Sequence, residues 1–259
     1  MDTDKFGDPK WVKNYEYQVG KTIIIPFLTK VGIEINKINV LDLGCGSGGI
    51  LWALGEAGAQ GTGIDRNPNR INEANQHIGV SHDYRTPTFQ VGNILLPLSI
   101  SGCFDLVLLV EVIEHLVDFE NVNQTLFVAS QCLCNQNGKI LVTFPPYKSP
   151  FGGHQAGWPY ISFLPWVHLW PRFILRKIIA KKYLDFLDKE LNHITIEKFE
   201  SCAAKSDLRV VKKAYFFIRP EYYLRYRVKP IQYSKFFERS RIINDYLTSG
   251  AYYLLERKP

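Results

Sequence analysis

Two groups of residues in this 259-residue chain have the types and spacing that chemistry requires. The first is the glycine-rich segment 40–49, V-L-D-L-G-C-G-S-G-G, in which Asp42 stands two residues before the first glycine. Glycines let the backbone turn tightly and let a ligand approach without meeting a Cβ atom. An apolar helix is predicted from Ile50, and its first N–H groups would point at the ligand. The segment therefore predicts a nucleotide-binding loop.

Asp42 discriminates between two classes of nucleotide. Gly44, Gly46 and Gly49 satisfy the pattern G-x-G-x-x-G, and Asp65 follows about 20 residues later, where a carboxylate can hold ribose hydroxyls. That pattern also fits an NAD-dependent oxidoreductase. A carboxylate at position 42 would repel a dianionic pyrophosphate, whereas it would attract the ammonium and sulfonium groups of S-adenosylmethionine. At ~4 Å and an effective dielectric constant of ~20, one such charge pair is worth roughly 4 kcal/mol before desolvation.

The second group, Glu111, Glu114 and His115, follows a predicted strand as the string E-x-x-E-H. If a helical turn starts at Glu111, the three side chains share one face, at the edge of the sheet where ligands bind. His115 can then act as a general base oriented by a carboxylate. Alternatively, the three residues can bind a divalent cation, with His154 as a fourth ligand or as the base itself. A purely structural role is the third interpretation.

Strands and helices alternate along the segment that carries these groups. Strands are predicted at 39–43, 60–64, 87–91, 104–110 and 139–144, with helices near 50–56, 70–77 and 120–134. This alternation predicts βαβ crossovers and a parallel sheet. A helix at 195–205 and strands at 208–218 and 251–256 would complete a seven-stranded, mostly parallel α/β sheet, with helices on both faces and an antiparallel last strand.

The chain is predicted to form a single domain, 1–259. A helical cap, 1–38, precedes a cofactor-binding core, 39–144. Two insertions, 145–192 and 219–248, are expected to act as lids over the site, while 193–218 and 249–259 complete the sheet.

At this point the chain resembles the class I S-adenosylmethionine-dependent methyltransferases, and within them the small-molecule branch typified by ubiquinone-biosynthesis O-methyltransferases. The resemblance rests on the glycine-rich segment 40–48, on G-I-D-R at 63–66, on G-N-I at 92–94 and on F-D-L-V at 104–107. It implies a Rossmann-like fold and S-adenosyl-L-methionine as cofactor. The cofactor-binding residues that it implies are Asp42, Gly44, Cys45, Gly46, Gly48, Asp65, Arg66, Asn93, Ile94 and Val110.

The E-x-x-E-H string is similar to those of ubiquinone-pathway O-methyltransferases and small-RNA 2′-O-methyltransferases, in which the matching residues bind Mg²⁺. The resemblance thus implies Mg²⁺ at Glu111, Glu114 and His115, and His154 is the candidate for a fourth ligand. The candidate catalytic residues are His115, His154 and Glu114. Oxygen is the expected methyl acceptor, because a hydroxyl group needs a base or a metal ion to remove its proton.

The two insertions carry the substrate and partner predictions. Segment 158–166 is too apolar to lie exposed, so it is expected to cover the site or to meet a membrane. Segment 172–182 reads as a basic amphipathic helix, suited either to an anionic membrane surface or to packing on the core with a solvated face. Segment 219–241 mixes basic and aromatic residues, which suits RNA, a phosphorylated or sugar-bearing small molecule, or simple packing of a lid.

Composition and net charge say more about the cellular compartment of the protein than about its binding partner. The net charge of +6 permits an anionic partner without requiring one. Five irregularly spaced cysteines argue against a disulfide framework, which makes a reducing cytosol the expected compartment, with peripheral membrane contact as an option. No apolar run is long enough to predict a membrane-spanning helix. Oligomeric state is left open.

The sequence thus predicts O-methylation of a bulky, partly apolar small molecule, such as a quinone, polyketide, lipid or sugar hydroxyl. The alternatives are an RNA 2′-O- or tRNA methyltransferase, an NAD-dependent oxidoreductase, and a non-catalytic RNA- or membrane-binding protein that retains the fold.

Overall fold

The computed structural model describes residues 9–76, 85–96, 102–134, 136–155, 158, 161, 163–233 and 241–259. The described strands join in one sheet in the order β3-β2-β1-β4-β5-β8-β6-β7. They are β1 Asn39–Leu43, β2 Gln60–Asp65, β3 Thr88–Val91, β4 Leu106–Val110, β5 Lys139–Phe144, β6 Leu208–Ile218, β7 Ile231–Gln232 and β8 Gly250–Arg257. The first five are parallel to one another, and β8 runs antiparallel between β5 and β6.

The predicted fold class is confirmed, with one difference in the sheet. The described part has eight strands rather than seven, because the second insertion adds the two-residue strand β7 antiparallel to the edge strand β6. The antiparallel β8, predicted as the last strand, is also confirmed.

Ten α-helices flank the described strands. They are α1 Pro9–Val19, α2 Ile25–Lys30, α3 Gly49–Glu56, α4 Pro68–Ala74, α5 Phe119–Gln131, α6 Arg172–Ile178, α7 Lys181–Lys189, α8 Ile196–Lys205, α9 Glu221–Tyr226 and α10 Arg241–Leu247. A π-helical turn, Gly20–Ile24, joins α1 to α2 without a break. Gly20 permits the close approach of this turn to α3, because a Cβ atom there would lie 2.8 Å from the Cβ of Ala53.

Two hydrophobic clusters cover the two faces of the sheet. Strand β4 contributes to both by alternation: Val107 and Leu109 pack with residues of α5 and α8, whereas Leu106 and Leu108 pack with residues of α2 and α3. Both faces of this mostly parallel sheet are buried. A ligand can therefore reach the sheet at the carboxyl ends of its strands.

The first insertion builds a hydrophobic cluster of its own. Trp158 is buried there with Tyr147, Val167, Leu175 and Leu187, so the apolar segment 158–166 is accounted for in part by local packing. The prediction of one basic helix over 172–182 is wrong. Helix α6 ends at Ile178, and the chain is extended at Ile179, whose side chain packs in the same small cluster.

The cysteine prediction also needs correction. Cys103 and Cys134 form a disulfide, with their Cα atoms 4.5 Å apart. An isolated parallel bridge between Phe104 and Leu133 brings the flanking cysteines together, and this pairing across 31 residues has no signature in the sequence. Cys45, Cys132 and Cys202 are free thiols. Among the described residues, no helix combines the length and apolarity needed to cross a membrane.

Candidate functional site

A cavity of about 820 Å³ opens at the carboxyl ends of the central strands. Its three walls come from segments that lie far apart in the sequence. The glycine-rich loop and the end of β4 form one wall, α1 a second, and the two insertions a third. Its lining includes Asp42, Gly44, Cys45, Gly46, Val110, Glu111, His115 and His154 among the predicted site residues, together with Tyr15, Glu16, Phe163, Arg219, Tyr222 and Arg225.

Asp65 ties the glycine-rich loop to the end of β2. Its Oδ2 accepts a hydrogen bond from the backbone N–H of Gly46 at 3.0 Å, and its Oδ1 accepts one from Asn67 at 2.8 Å. Gly46 has a φ of +57°, a conformation that favours glycine. The carboxylate predicted to hold ribose therefore also fixes the shape of the loop beside it.

Several predicted cofactor residues do not line the cavity. Gly48 packs against the ring of Phe89, which would lie 2.6 Å from a Cβ atom at that position, so it serves the contact between loop and sheet. Ile94 belongs to the hydrophobic core. Arg66 and Asn93 are exposed, and Asn93 Oδ1 accepts a hydrogen bond from the N–H of Leu95 at 3.0 Å. Their predicted contacts with ribose and adenine stay predictions.

Three carboxylates converge beside the glycine-rich loop. Burial raises the pKa of Asp42 well above its usual range, and the nearby Glu16 and Asp65 raise it further. Glu16 comes from α1, where sequence analysis weighed only apolar residues. One signal in the sequence could have identified it. Glu16 lies three positions after Lys13, so the two charged side chains share one face of a helix that otherwise packs on the core. This concentration of negative charge suits a cationic ligand.

Glu111 and Glu114 do not share the predicted helical face. Glu111 has a φ of +56°, and only a short 3-10 turn, Ile113–His115, follows it. The left-handed residue turns the Glu111 carboxylate toward Arg219, whose Nη2 lies 2.7 Å from Glu111 Oε2. Glu114 instead faces two imidazoles. Its Oε1 lies 4.0 Å from His115 Nε2 and 3.9 Å from His154 Nε2.

Glu114, His115 and His154 can hold a metal ion, and within the described residues they form the one such group. One ligand atom from each lies within 4.8 Å of the others. Both carboxylate oxygens of Glu114 and Nε2 of His154 are buried without a hydrogen-bond partner. Such orphaned polar atoms cost free energy unless a ligand or an ion satisfies them. Geometry thus selects three of the four predicted ligands and excludes Glu111 from the group.

The protonation of this group follows from its burial. Desolvation raises the pKa of Glu114 well above its usual range, and the neighbouring Glu111 adds to the effect. Desolvation lowers the pKa of His154 well below its usual range, helped by His115 and Arg219. His154 is therefore neutral near pH 7 and keeps one ring nitrogen able to accept a proton or to bind a metal ion.

Arg219 and Glu221 extend the polar wall into the second insertion. Arg219 Nε donates to Glu221 Oε2 at 2.9 Å, so this guanidinium serves two carboxylates, Glu111 and Glu221. Burial opposes its charge, but the two carboxylates outweigh burial and raise the pKa of Arg219 well above its ordinary value. Nearby, the guanidinium of Arg225 lies 4.5 Å from the centre of the Tyr15 ring. Sequence analysis had assigned these basic residues to RNA, a small-molecule pocket or lid packing.

Comparison with known proteins shows what part of the chain is similar to methyltransferases. Residues 35–146 match the model of a methyltransferase domain. Over 151 residues the chain is 29% identical to a ubiquinone biosynthesis O-methyltransferase of Methylobacterium sp., covering 56% of this chain and 57% of that protein. The corresponding protein of Bradyrhizobium diazoefficiens is 30% identical over 159 residues, 58% of each chain. The chain thus spans little more than half the length of these curated relatives.

Solved structures extend the similarity of fold to nearly the whole chain. A magnesium protoporphyrin IX methyltransferase from Synechocystis PCC 6803, solved with bound S-adenosylhomocysteine, aligns with a TM-score of 0.58 and 16% identity, covering 98% of this chain and 92% of that one. An S-adenosylmethionine-dependent methyltransferase from Mesorhizobium loti aligns with a TM-score of 0.57 and 18% identity, covering 98% of this chain and 100% of that one.

Proposed function

We propose that this chain, in which residues 35–146 form a methyltransferase domain of the class I S-adenosylmethionine-dependent family, transfers a methyl group to an oxygen atom of a bulky, partly apolar small molecule. One observation carries the proposal. A single cavity joins the glycine-rich loop and Asp42 to His115 and His154, so a methyl donor on the loop and an acceptor beside the imidazoles can lie next to each other.

The loop residues fit the donor. Asp42, Gly44, Cys45 and Gly46 line the cavity and would hold the methionine part of S-adenosylmethionine, while Asp65 stands at the strand end where ribose would lie. The donor supplies an electrophilic methyl group on a sulfonium ion. The protein supplies positioning, which brings the acceptor oxygen into line with that methyl group, and carboxylates that favour binding of the cationic donor.

His154 is the candidate base for the acceptor hydroxyl. Its imidazole is neutral and its Nε2 is buried without a partner, so it can accept the proton that the hydroxyl loses as the O–CH₃ bond forms. Glu114 would then pair with the resulting imidazolium, because its Oε1 lies 3.9 Å from Nε2 and the new positive charge would favour the ionised form of the carboxyl group. His115, at 5.0 Å between ring centres, would hold the His154 ring in place.

A divalent cation at Glu114, His115 and His154 is the second candidate for the same group. The cation would satisfy the orphaned oxygens of Glu114 and would lower the pKa of an acceptor hydroxyl bound to it. One carboxylate and two imidazoles suit Mn²⁺ or Zn²⁺ at least as well as Mg²⁺, which prefers oxygen ligands. Because Glu111 pairs with Arg219, it would support this site from outside the ligand set.

The acceptor class follows from the walls of the cavity. Phe163, Tyr15 and Tyr222 line it, which favours an aromatic or otherwise apolar body. The charge of Arg219 is compensated by two carboxylates, so this member of the basic segment 219–241 offers no net charge to a nucleic acid. The partly aromatic cavity therefore favours a small-molecule acceptor. Phe236 and Phe237 of the same segment lie outside the described residues.

A membrane surface is the proposed source of an apolar acceptor. The side chain of Phe173 on α6 is 68% exposed, and the basic residues that follow it, Arg176, Lys177, Lys181 and Lys182, are also exposed. An exposed aromatic ring among cations suits contact with anionic lipid headgroups.

The function is tested by incubating the chain with S-adenosylmethionine labelled on its methyl carbon and with separate panels of phenols, catechols, sugars and bulk tRNA. We expect label in a catechol or phenol and inhibition by S-adenosylhomocysteine. Label in tRNA alone would contradict the small-molecule proposal. Failure of S-adenosylhomocysteine to bind or to raise the melting temperature would contradict methyl transfer itself.

A further inference from the structure

We propose that Glu16, on α1, binds the ammonium group of the methyl donor's amino-acid part. The assignment rests on the proposed function, because it names a further contact to the same donor. Sequence analysis placed 1–38 in a helical cap outside the cofactor-binding core. The contacts of Glu16 place one residue of that cap in the cofactor site.

Glu16 lies against the glycine-rich loop and lines the cavity. Glu16 Oε1 accepts a hydrogen bond from the N–H of Ser47 at 3.3 Å, and Oε2 accepts one from the N–H of Gly49 at 3.2 Å. These N–H groups belong to the glycine-rich loop and to the first residue of α3, a helix end that favours an anion. Glu16 also lines the cavity beside Asp42, so its carboxylate reaches the predicted cofactor-binding residues directly.

Another argument is the close approach of α1 to the loop. A Cβ atom on Gly46 would meet Glu16 Oε1, and a Cβ atom on Gly49 would meet the backbone of α1 at Lys13 and Tyr17. Two glycines of the loop are therefore required by contact with α1 as well as by the turn. Because the loop has glycines where α1 comes closest, the helix can pack directly on the loop. This packing fixes the position of Glu16.

Helix α1 is also attached to the end of α4. Lys13, one turn before Glu16, donates from Nζ to the carbonyl oxygens of Glu73, at 2.6 Å, and of Gln76. These carbonyls lie at the end of α4, which follows the ribose-binding strand end of β2. Helix α1 is thus fastened at two points, to the loop after β1 and to the helix after β2. This attachment holds Glu16 over the space between them.

A further argument is charge. Glu16 faces the carboxylates of Asp42 and Asp65, and the cations near it are Arg70 and Lys13. Burial is the main cause that raises the pKa of Glu16 to about 7, and the nearby Asp65 adds to it. The Nζ of Lys13 already donates hydrogen bonds to carbonyl oxygens at the end of α4. A ligand ammonium between Glu16 and Asp42 would relieve this repulsion, whereas the ligand's own carboxylate would increase it.

The oxygens of Glu16 retain the capacity for this contact. Each accepts one backbone N–H, and an ionised carboxylate offers about four lone-pair positions in total. An ammonium can therefore bind without displacing the loop.

The test compares two ligands on two variants by titration calorimetry. The ligands are S-adenosylhomocysteine and its deaminated analogue, which carries hydrogen in place of the amino group. Substitution Glu16→Gln keeps the shape of the side chain and its carbonyl acceptor but removes the charge. We expect it to weaken S-adenosylhomocysteine at least tenfold, about 1.4 kcal/mol, and to change the affinity of the deaminated analogue less than twofold.

Glu56→Gln is the matched control. Glu56 accepts hydrogen bonds from Tyr17 on α1 and from Lys21, but it does not line the cavity. We expect this variant to bind both ligands as the wild type does, which separates a charge in the site from a general loosening of the helix. Circular dichroism melting confirms that each variant is folded.

Four outcomes would overturn the assignment. Equal weakening of both ligands by Glu16→Gln would make Glu16 a support of the loop only. Unchanged affinity for S-adenosylhomocysteine would remove Glu16 from the site. If Glu16→Gln does not fold, equal affinity of the wild type for the two ligands would still overturn the assignment, since no group would then recognise the ammonium. A wild type that binds neither ligand would instead contradict the proposed function and the assignment with it.

Discussion

Glu111 Oε2 and Arg219 Nη2 lie 2.7 Å apart and join the end of β4 to the end of β6. Both side chains are largely withdrawn from solvent, and Arg219 also binds Glu221. The pair therefore connects the sequence motif E-x-x-E-H to the second insertion, which supplies Tyr222 and Arg225 to the cavity. The carboxylate of Glu111, which the sequence suggested as a metal ligand, instead anchors a wall of the cavity.

The first prediction concerns this ion pair. Arg219→Met leaves two buried carboxylates without their cation, and we expect it to lower the free energy of unfolding by about 3–5 kcal/mol in urea titrations. Arg209→Met is the control, because Arg209 pairs with Glu256 on the surface and should cost under about 1 kcal/mol. Equal losses for the two variants would show that the buried pair has no special role.

The second prediction separates chemistry from cofactor binding. Glu114→Gln and His154→Ala should each lower kcat/KM for the acceptor by about 100-fold or more, since they remove the base or its partner. The dissociation constant of S-adenosylhomocysteine should stay within about twofold of the wild-type value, because neither residue belongs to the loop. Glu120→Gln, on the exposed start of α5, is the control and should retain full activity. Near-normal turnover by both site variants would assign the pair a structural role.

The third prediction tests the divalent cation. Prolonged dialysis against EDTA should abolish activity if a metal ion joins Glu114, His115 and His154, and added Mn²⁺ or Mg²⁺ should restore it. Affinity for S-adenosylhomocysteine should survive the treatment, which shows that the protein is still folded. Full activity after dialysis, with less than 0.1 equivalents of metal by elemental analysis, would leave His154 as the base without metal.

The fourth prediction follows from the pKa of Glu16, which rises from an ordinary 4.5 to about 7. An acid with a raised pKa in the folded state binds more protons there than in the unfolded chain, so its contribution to stability falls as pH rises between about 4.5 and 7. Without cofactor, Glu16→Gln should therefore be more stable than the wild type at pH 8, and the difference should shrink toward pH 5. Because Asp42 titrates as well, the difference between the two proteins is the quantity measured, by urea unfolding at several pH values.

The groups that face Glu16 set the sign of this effect. Asp42 and Asp65 oppose its ionisation, while Arg70, Lys13 and two backbone N–H groups favour it, and desolvation outweighs them. A wild type that gains stability over the variant between pH 5 and 8 would mean that the cations outweigh burial.

The fifth prediction concerns the membrane. The double substitution Phe173→Ser and Lys177→Glu should reduce co-sedimentation with phosphatidylglycerol-rich vesicles by at least about fivefold, because it removes the exposed ring and reverses a neighbouring charge. Phe127→Ser changes a half-exposed ring on α5, far in sequence from the basic residues that follow Phe173, and should have no effect. Binding that is equal for all three proteins, or absent from the wild type, would contradict the membrane proposal.

Local patterns in the chain were enough to predict the sheet. Strand β6 has the predicted bounds, and the predicted bounds of β1 and β5 also match, because alternation and apolar runs depend on neighbours a few residues away. The helix predicted over 172–182 failed for the opposite reason. Burial of Ile179 in the small cluster of the first insertion outweighed the helical pattern, and that cluster forms only in three dimensions.

The candidate site divides in the same way. Asp42 and the glycines could be recognised in sequence because their role depends on spacing along one strand and one turn. Glu16 and Arg219 could not, because each acts on residues 30 or more positions away. Glu111 looked equivalent to Glu114 in the motif, and only its left-handed backbone sends its carboxylate to a different partner.

The sequence by itself determined the fold and the loop, and it predicted a cationic adenosyl ligand, since these follow from short-range periodicity, glycine geometry and the charge of Asp42. The tertiary structure decided which side chains meet: His154 with Glu114, Glu111 with Arg219, and Glu16 with the loop. The physical reason is that electrostatic and hydrogen-bond partners are selected by distance in space and by burial. Both quantities exist only after the helices and insertions have packed around the sheet.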